Sequence, residues 1–106
     1  MKTRQEKAGS LLRSLAGSFI KLEIRSSALL TAARAEISPD LRCAKIFISV
    51  FPEEKENEIM ELLKKKERKF RDFIKPKLKW KFLPAVSFEI DTGAKMERRI
   101  DELLKL

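Results

Sequence analysis

Ten cations crowd the stretch from Lys64 to Lys81: Lys64, Lys65, Lys66, Arg68, Lys69, Arg71, Lys75, Lys77, Lys79 and Lys81, against only Glu67 and Asp72. Their excess equals the net charge of +8 carried by the whole 106-residue chain, so the rest of the sequence balances. Cations of one sign at this density are the electrostatic footprint of a phosphate binder. The alternative is a solvated helix face, but such a face normally mixes both signs. The chemistry on offer is binding.

Covalent chemistry has few candidates. The chain has no histidine and no tyrosine, and Cys43 is its only cysteine. Histidine acid–base catalysis, a Ser-His-Asp triad and the usual zinc ligand sets are thereby excluded. Cys43 cannot form an internal disulfide, which fits a reducing compartment, and it reads as a small strand residue because a nucleophilic thiol needs a base. A hydrolase built on paired carboxylates would need two acids in a pocket, and the sequence gives no reason to expect one. No enzymatic activity, cofactor or metal is expected. No apolar run approaches the roughly 18–20 residues of a membrane span, and no signal-peptide pattern opens the chain.

The elements that must position these cations follow from periodicity. Thr3 with Glu6 makes a capping-box start, and Leu12, Leu15, Ala16, Phe19 and Ile20 form one helical stripe to about Leu22. Gly9 and Gly17 weaken that helix by up to about 1 kcal/mol each, so packing must hold it. Residues 28–37 alternate as a half-buried strand, with Leu29, Thr31, Ala33, Ala35 and Ile37 expected on the inner face. Ser38-Pro39-Asp40 is turn chemistry. Residues 42–51 form a second strand, Ala44, Ile46, Ile48 and Val50 facing inward, and the two strands read as an antiparallel pair.

Beyond Pro52 a helical face of Ile59, Leu62, Leu63, Phe70, Phe73 and Ile74 runs to Lys75, where Pro76 stops it. The face lapses across KKKERK, which predicts a kink or a projecting helix. From Lys77 the period becomes two, through Leu78, Trp80 and Phe82 into a third strand at Val86, Phe88 and Ile90, with Pro84 at its start. Asp91-Thr92-Gly93 is a turn, and Met96, Ile100, Leu103 and Leu104 form the stripe of a short C-terminal helix. The order α-β-β-α-α-β-α predicts a single α+β domain over 1–106 with helices on one face of a small sheet.

Three stretches in this order resemble the ribosome-binding factor A family: LLTAARAEISPDLRCAKIFISVF (29–51), KWKFLPAVSFEID (79–91) and RIDELLKL (99–106). The resemblance spans essentially the whole chain. It implies a type II KH-like domain, a non-catalytic role in late maturation and rRNA processing of the small ribosomal subunit, and a location in the bacterial cytoplasm or in an organelle derived from bacteria. The implied partners are the immature small subunit and its rRNA. A net charge of +8 favours a monomer. Two departures stand out. Residues 52–92 contain no glycine, so a Gly-x-x-Gly phosphate clamp is absent, and Glu67-Arg68-Lys69 occupies the place of the family's Ala-x-Gly kink.

The expected RNA contacts are Arg68, Lys69, Arg71, Lys75, Lys77, Lys79 and Lys81, with Lys64, Lys65 and Lys66 adding to the field and Arg42 beside the turn. Such contacts set position and affinity more than sequence preference. Trp80 reads either as a base-stacking surface or as a partly buried aromatic between Leu78 and Phe82. Cations of the first helix, such as Arg4, Lys7 and Arg13, are expected to matter less. A basic protein-interaction module and a small ribosomal protein are the alternative readings.

Overall fold

The computed structural model describes residues 3–93 and Leu104. Helix α1 covers Arg4–Glu23, strands β1 and β2 cover Leu29–Ile37 and Cys43–Phe51, and a 3-10 turn at Glu53–Lys55 leads into helix α2, Glu56–Lys65. Helix α3 (Glu67–Ile74) and strand β3 (Ala85–Ile90) follow. The sheet order is β1-β2-β3, antiparallel between β1 and β2 and parallel between β2 and β3. A parallel pair needs a crossover, and α2 and α3 provide it. The expected C-terminal helix stripe lies outside the described residues except for Leu104.

α1 starts at the expected Thr3 cap, whose hydroxyl accepts the Glu6 backbone N–H at 3.1 Å, one of the two bonds of a capping box. Leu12, Ala16, Phe19 and Ile20 are buried against the sheet. On β2 the period-two reading holds, with Ala44, Ile46, Ile48 and Val50 all at 2% exposure or less. On β1 the reading fails in its first half. A bulge between Ala32 and Arg34 inserts one residue, so Ala32 pairs with Ile48 and Arg34 with Phe47. The extra residue reverses the facing of every side chain before it. Leu30 and Ala32 therefore turn inward ahead of the bulge, Ala35 and Ile37 after it, and Leu29 is left 70% exposed.

All three helices share the core behind the inner face of the sheet. At its centre Phe70 meets Phe19 edge-on at 5.1 Å and Phe88 at 5.3 Å, joining α3 to α1 and β3. Such aromatic pairs add about 0.5–1.5 kcal/mol beyond their buried area. The opposite face of the sheet pairs its own charges. Arg34 lies 4.2 Å above the Phe47 ring and contacts Glu36, and Lys45 reaches Glu89 at 3.5 Å.

The predicted lapse in the central helix is a true break. It falls at Lys66, whose φ of −104° and ψ of 6° interrupt the helical path between α2 and α3. No glycine is needed, because a bridge-region backbone is open to any residue. The break turns α3 so that Phe70 and Ile74 resume burial.

Candidate nucleic-acid interface

Nine of the ten clustered cations are exposed, Lys66 being half-buried. They do not form one surface. A helix spreads successive residues 100° apart, and α3 divides its cations between two sides. Arg68, Arg71 and Lys75 lie on an outer strip that also carries Asp72. Arg68 and Arg71 border a shallow depression of about 530 Å³ beside Pro84, Ala85 and Val86 at the start of β3. This strip is open to solvent and to a phosphate backbone.

Lys66 and Lys69 point the other way, toward α1. Both ammonium groups approach Glu23 Oε2, Lys66 at 3.4 Å and Lys69 at 2.9 Å. The Lys69 hydrogen bond, reinforced by Lys66, holds the Glu23 carboxyl below its ordinary value against the opposing effect of desolvation. These two lysines thus carry charge that Glu23 already partly offsets. Lys77 folds back as well: its Nζ sits 4.0 Å over the Phe73 ring and donates to the Phe73 carbonyl at 3.3 Å. Lys64 and Lys65 end α2 in the open, where they also complement the helix dipole.

Lys79, Lys81 and Arg42 belong to a third region. Residues 79–83, the 40–42 turn and the start of α1 enclose a groove of about 760 Å³. Arg4 and Lys7 reach the same groove, as do Trp80 and Phe82. The sequence placed Arg4 and Lys7 in the background, since nothing in a linear reading brings the first helix beside residue 80. Trp80 packs partly against the core while still lining the groove. Phe82 is 77% exposed. Cys43 is exposed at the start of β2.

The turn that carries Arg42 is tightly built. The Ser38 hydroxyl donates to Asp40 Oδ1 at 2.6 Å, the Arg42 backbone N–H reaches the same oxygen at 3.1 Å, and the Cys43 N–H reaches Ser38 Oγ at 3.0 Å. The Ser38 bond, then the Arg42 N–H, lowers the Asp40 pKa. Leu41 sits at φ 61°, a conformation that a branched side chain resists. Arg42 O in turn accepts the Ala85 N–H at 2.8 Å, tying the turn to β3.

A three-stranded mixed sheet backed by helices on one face, with a broken helix pair crossing from β2 to β3, defines a small KH-like α+β domain. Among solved structures it is similar to the crystal structure of ribosome-binding factor A from Thermus thermophilus. The TM-score is 0.73 at 18% identity, over 83% of this chain and 97% of that one. It is also similar to a Thermus thermophilus ribosome binding factor A homology model fitted into a cryo-electron-microscopy map of a 30S–RbfA complex, with a TM-score of 0.69 and 19% identity over 87% and 97% of the two chains. In sequence it is 34% identical over 105 residues to ribosome-binding factor A of Halothermothrix orenii, covering 96% of this chain and 86% of the relative. The ribosome-binding factor A family model matches residues 4–104. The chain belongs to the ribosome-binding factor A family.

Among the described residues no helix is long and apolar enough to cross a membrane.

Proposed function

We propose that this protein is a non-catalytic, cytoplasmic assembly factor that binds the immature small ribosomal subunit through its rRNA during late maturation and rRNA processing. One observation carries the reading: the entire net charge lies in residues 64–81, and nine of its ten cations reach solvent. Family membership supports the choice of ribosomal RNA as the polyanion. Arg68, Arg71 and Lys75 on the outer strip of α3 make the main backbone contacts, with Lys64 and Lys65 widening the field. Lys79, Lys81 and Arg42 contribute from the groove, Lys66, Lys69 and Lys77 more weakly. The whole chain acts as one domain and as a monomer.

Sedimentation of lysate from cells producing the tagged protein tests this. The protein is expected with free small subunits and not with translating ribosomes, and its deletion is expected to leave excess free subunits and unprocessed precursor rRNA. A protein that stays with translating ribosomes at one copy each would instead be a ribosomal protein. One that sediments apart from all subunits would be a protein-interaction module.

A further inference from the structure

We propose that the groove between the start of α1, the 40–42 turn and residues 79–83 is a second RNA subsite that takes an unpaired segment, with bases stacked on Trp80 and Phe82. The inference rests on the reading of the chain as an RNA binder but concerns a different surface from the α3 strip.

Charge and shape choose the occupant together. Arg4, Lys7, Arg42, Lys79 and Lys81 give the rim five cations against Asp40 alone. Asp40 is itself engaged, by the Ser38 hydroxyl, the Arg42 N–H and, at 3.9 Å, the Arg42 guanidinium. The rim is therefore strongly positive and fits a polyanion. Between those cations lie an indole and a phenyl ring. Phe82 is left 77% exposed, its ring met by the Lys81 ammonium at 5.7 Å, so it gains little from burial. It offers a flat apolar surface beside phosphate-binding groups, the combination that single-stranded nucleic acid uses. A duplex keeps its bases stacked inside and cannot offer them to such rings.

Size agrees. About 760 Å³ lies within the roughly 300–1,000 Å³ of sites that enclose small molecules, and is wide enough for about one or two splayed bases. The groove is also held in shape before anything binds. Leu41, at φ 61°, sits in a turn closed by the Ser38–Asp40 hydrogen bond and by its own N–H to Ser38 O at 2.8 Å, and the Ala85 N–H to Arg42 O bond joins the turn to the sheet. A preformed wall reduces the ordering cost of binding.

Trp80 is the chain's only tryptophan, so it reports its own stacking. The test titrates the full chain with a 12-nucleotide unstructured RNA, a 12-base-pair RNA duplex and an oligoglutamate peptide. The single strand is expected to quench the Trp80 fluorescence at saturation, and the duplex and the peptide to leave it nearly unchanged. Phe82→Ala is expected to weaken the single strand five-fold or more, and Trp80→Leu at least as much. The Phe82 variant keeps the test valid should Trp80→Leu perturb the core. Arg4→Gln with Lys7→Gln is expected to weaken the single strand several-fold, while Arg13→Gln with Lys21→Gln leaves it unchanged.

Bound single strand without quenching, or unaffected by Phe82→Ala, overturns the subsite while leaving subunit binding through α3 in place. Quenching by the peptide equal to that by RNA overturns it in favour of an acidic protein partner. Failure of the chain to bind either RNA or small subunits overturns the functional reading and the subsite with it.

Discussion

Glu23 Oε2, in the last turn of α1, stands 2.9 Å from Lys69 Nζ in α3, so the chain restrains part of its own cation cluster with an acid from its first helix. Lys66 shares the same oxygen at 3.4 Å. Charge counted along the sequence therefore overstates the charge available to a ligand.

Glu23→Gln is expected to release both lysines. RNA affinity should rise and the slope of log affinity against log salt should steepen by up to about 1.4–1.8, at about 0.7–0.9 per added phosphate contact. Anisotropy titrations over a salt series measure this; an unchanged slope would mean the lysines already reach phosphate. The same contact gives a pH signature. Because the folded carboxyl sits below its ordinary value of 4.5, its stabilisation is present above that pH and is lost as pH falls through the folded value. Wild type and Glu23→Gln should therefore differ in melting temperature near neutrality and converge in acid.

Neutralising the outer strip separates the two sides of α3. Arg68→Gln, Arg71→Gln and Lys75→Gln together should remove most subunit binding and reduce the salt slope by about 2–3. Lys69→Gln with Lys77→Gln should do clearly less, since Glu23 and Phe73 already hold those groups. Exposed positions of this kind cost within about 0.5 kcal/mol each, so thermal melting should barely move. Equal losses from the two sets would refute the assignment of the strip.

The two glycines of α1 should respond oppositely to alanine. At Gly17 a Cβ meets nothing within 4 Å, and Gly17→Ala is expected to stabilise by about 0.5–1 kcal/mol through helix propensity. At Gly9 it would lie 3.0 Å from the Ala35 carbonyl oxygen, backbone of β1 that the sheet holds in place. Gly9→Ala is expected to destabilise by about 1–3 kcal/mol as the helix is forced off the strand. Denaturant melts of both variants decide it; a stabilised Gly9→Ala would show that α1 can shift freely on β1.

Phe70→Ala should cost about 3–5 kcal/mol, removing a fully buried ring that meets both Phe19 and Phe88. Against a typical total of about 5–15 kcal/mol that loss is large, and circular dichroism should show a much lower melting temperature. A change below about 1 kcal/mol would mean that the three elements do not meet there.

Local patterning carried much of the fold. The alternation of Ala44, Ile46, Ile48 and Val50 is enough to orient β2, and the gap between Leu63 and Phe70 announces a break in the crossover helix. The phase of β1 was hidden because a bulge at Ala33 leaves no distinctive residue in an alanine-rich strand. The candidate site was legible as a stretch of charge and not as a surface. Lys66 and Glu23 lie 43 residues apart, and the contacts that sort the cations, like the meeting of Arg4 and Lys7 with Lys79 and Lys81, exist only once the helices have packed.

The parallel pairing of β3 with β2 gives the sheet a chronology as well as an order. The β1–β2 hairpin and the adjacent α1 involve near neighbours in sequence and can close early, whereas β3 must wait until residues 52–84 have been laid across the inner face. Its pairing then closes a long loop whose entropy is lost before any contact is gained. Amide exchange with solvent water should accordingly be slowest in β2, which is flanked on both edges, and faster in β3, the last strand to dock and the first able to peel away. Because the 79–83 segment leads directly into that strand, a ligand gripping the groove would slow the exchange of a strand it never touches.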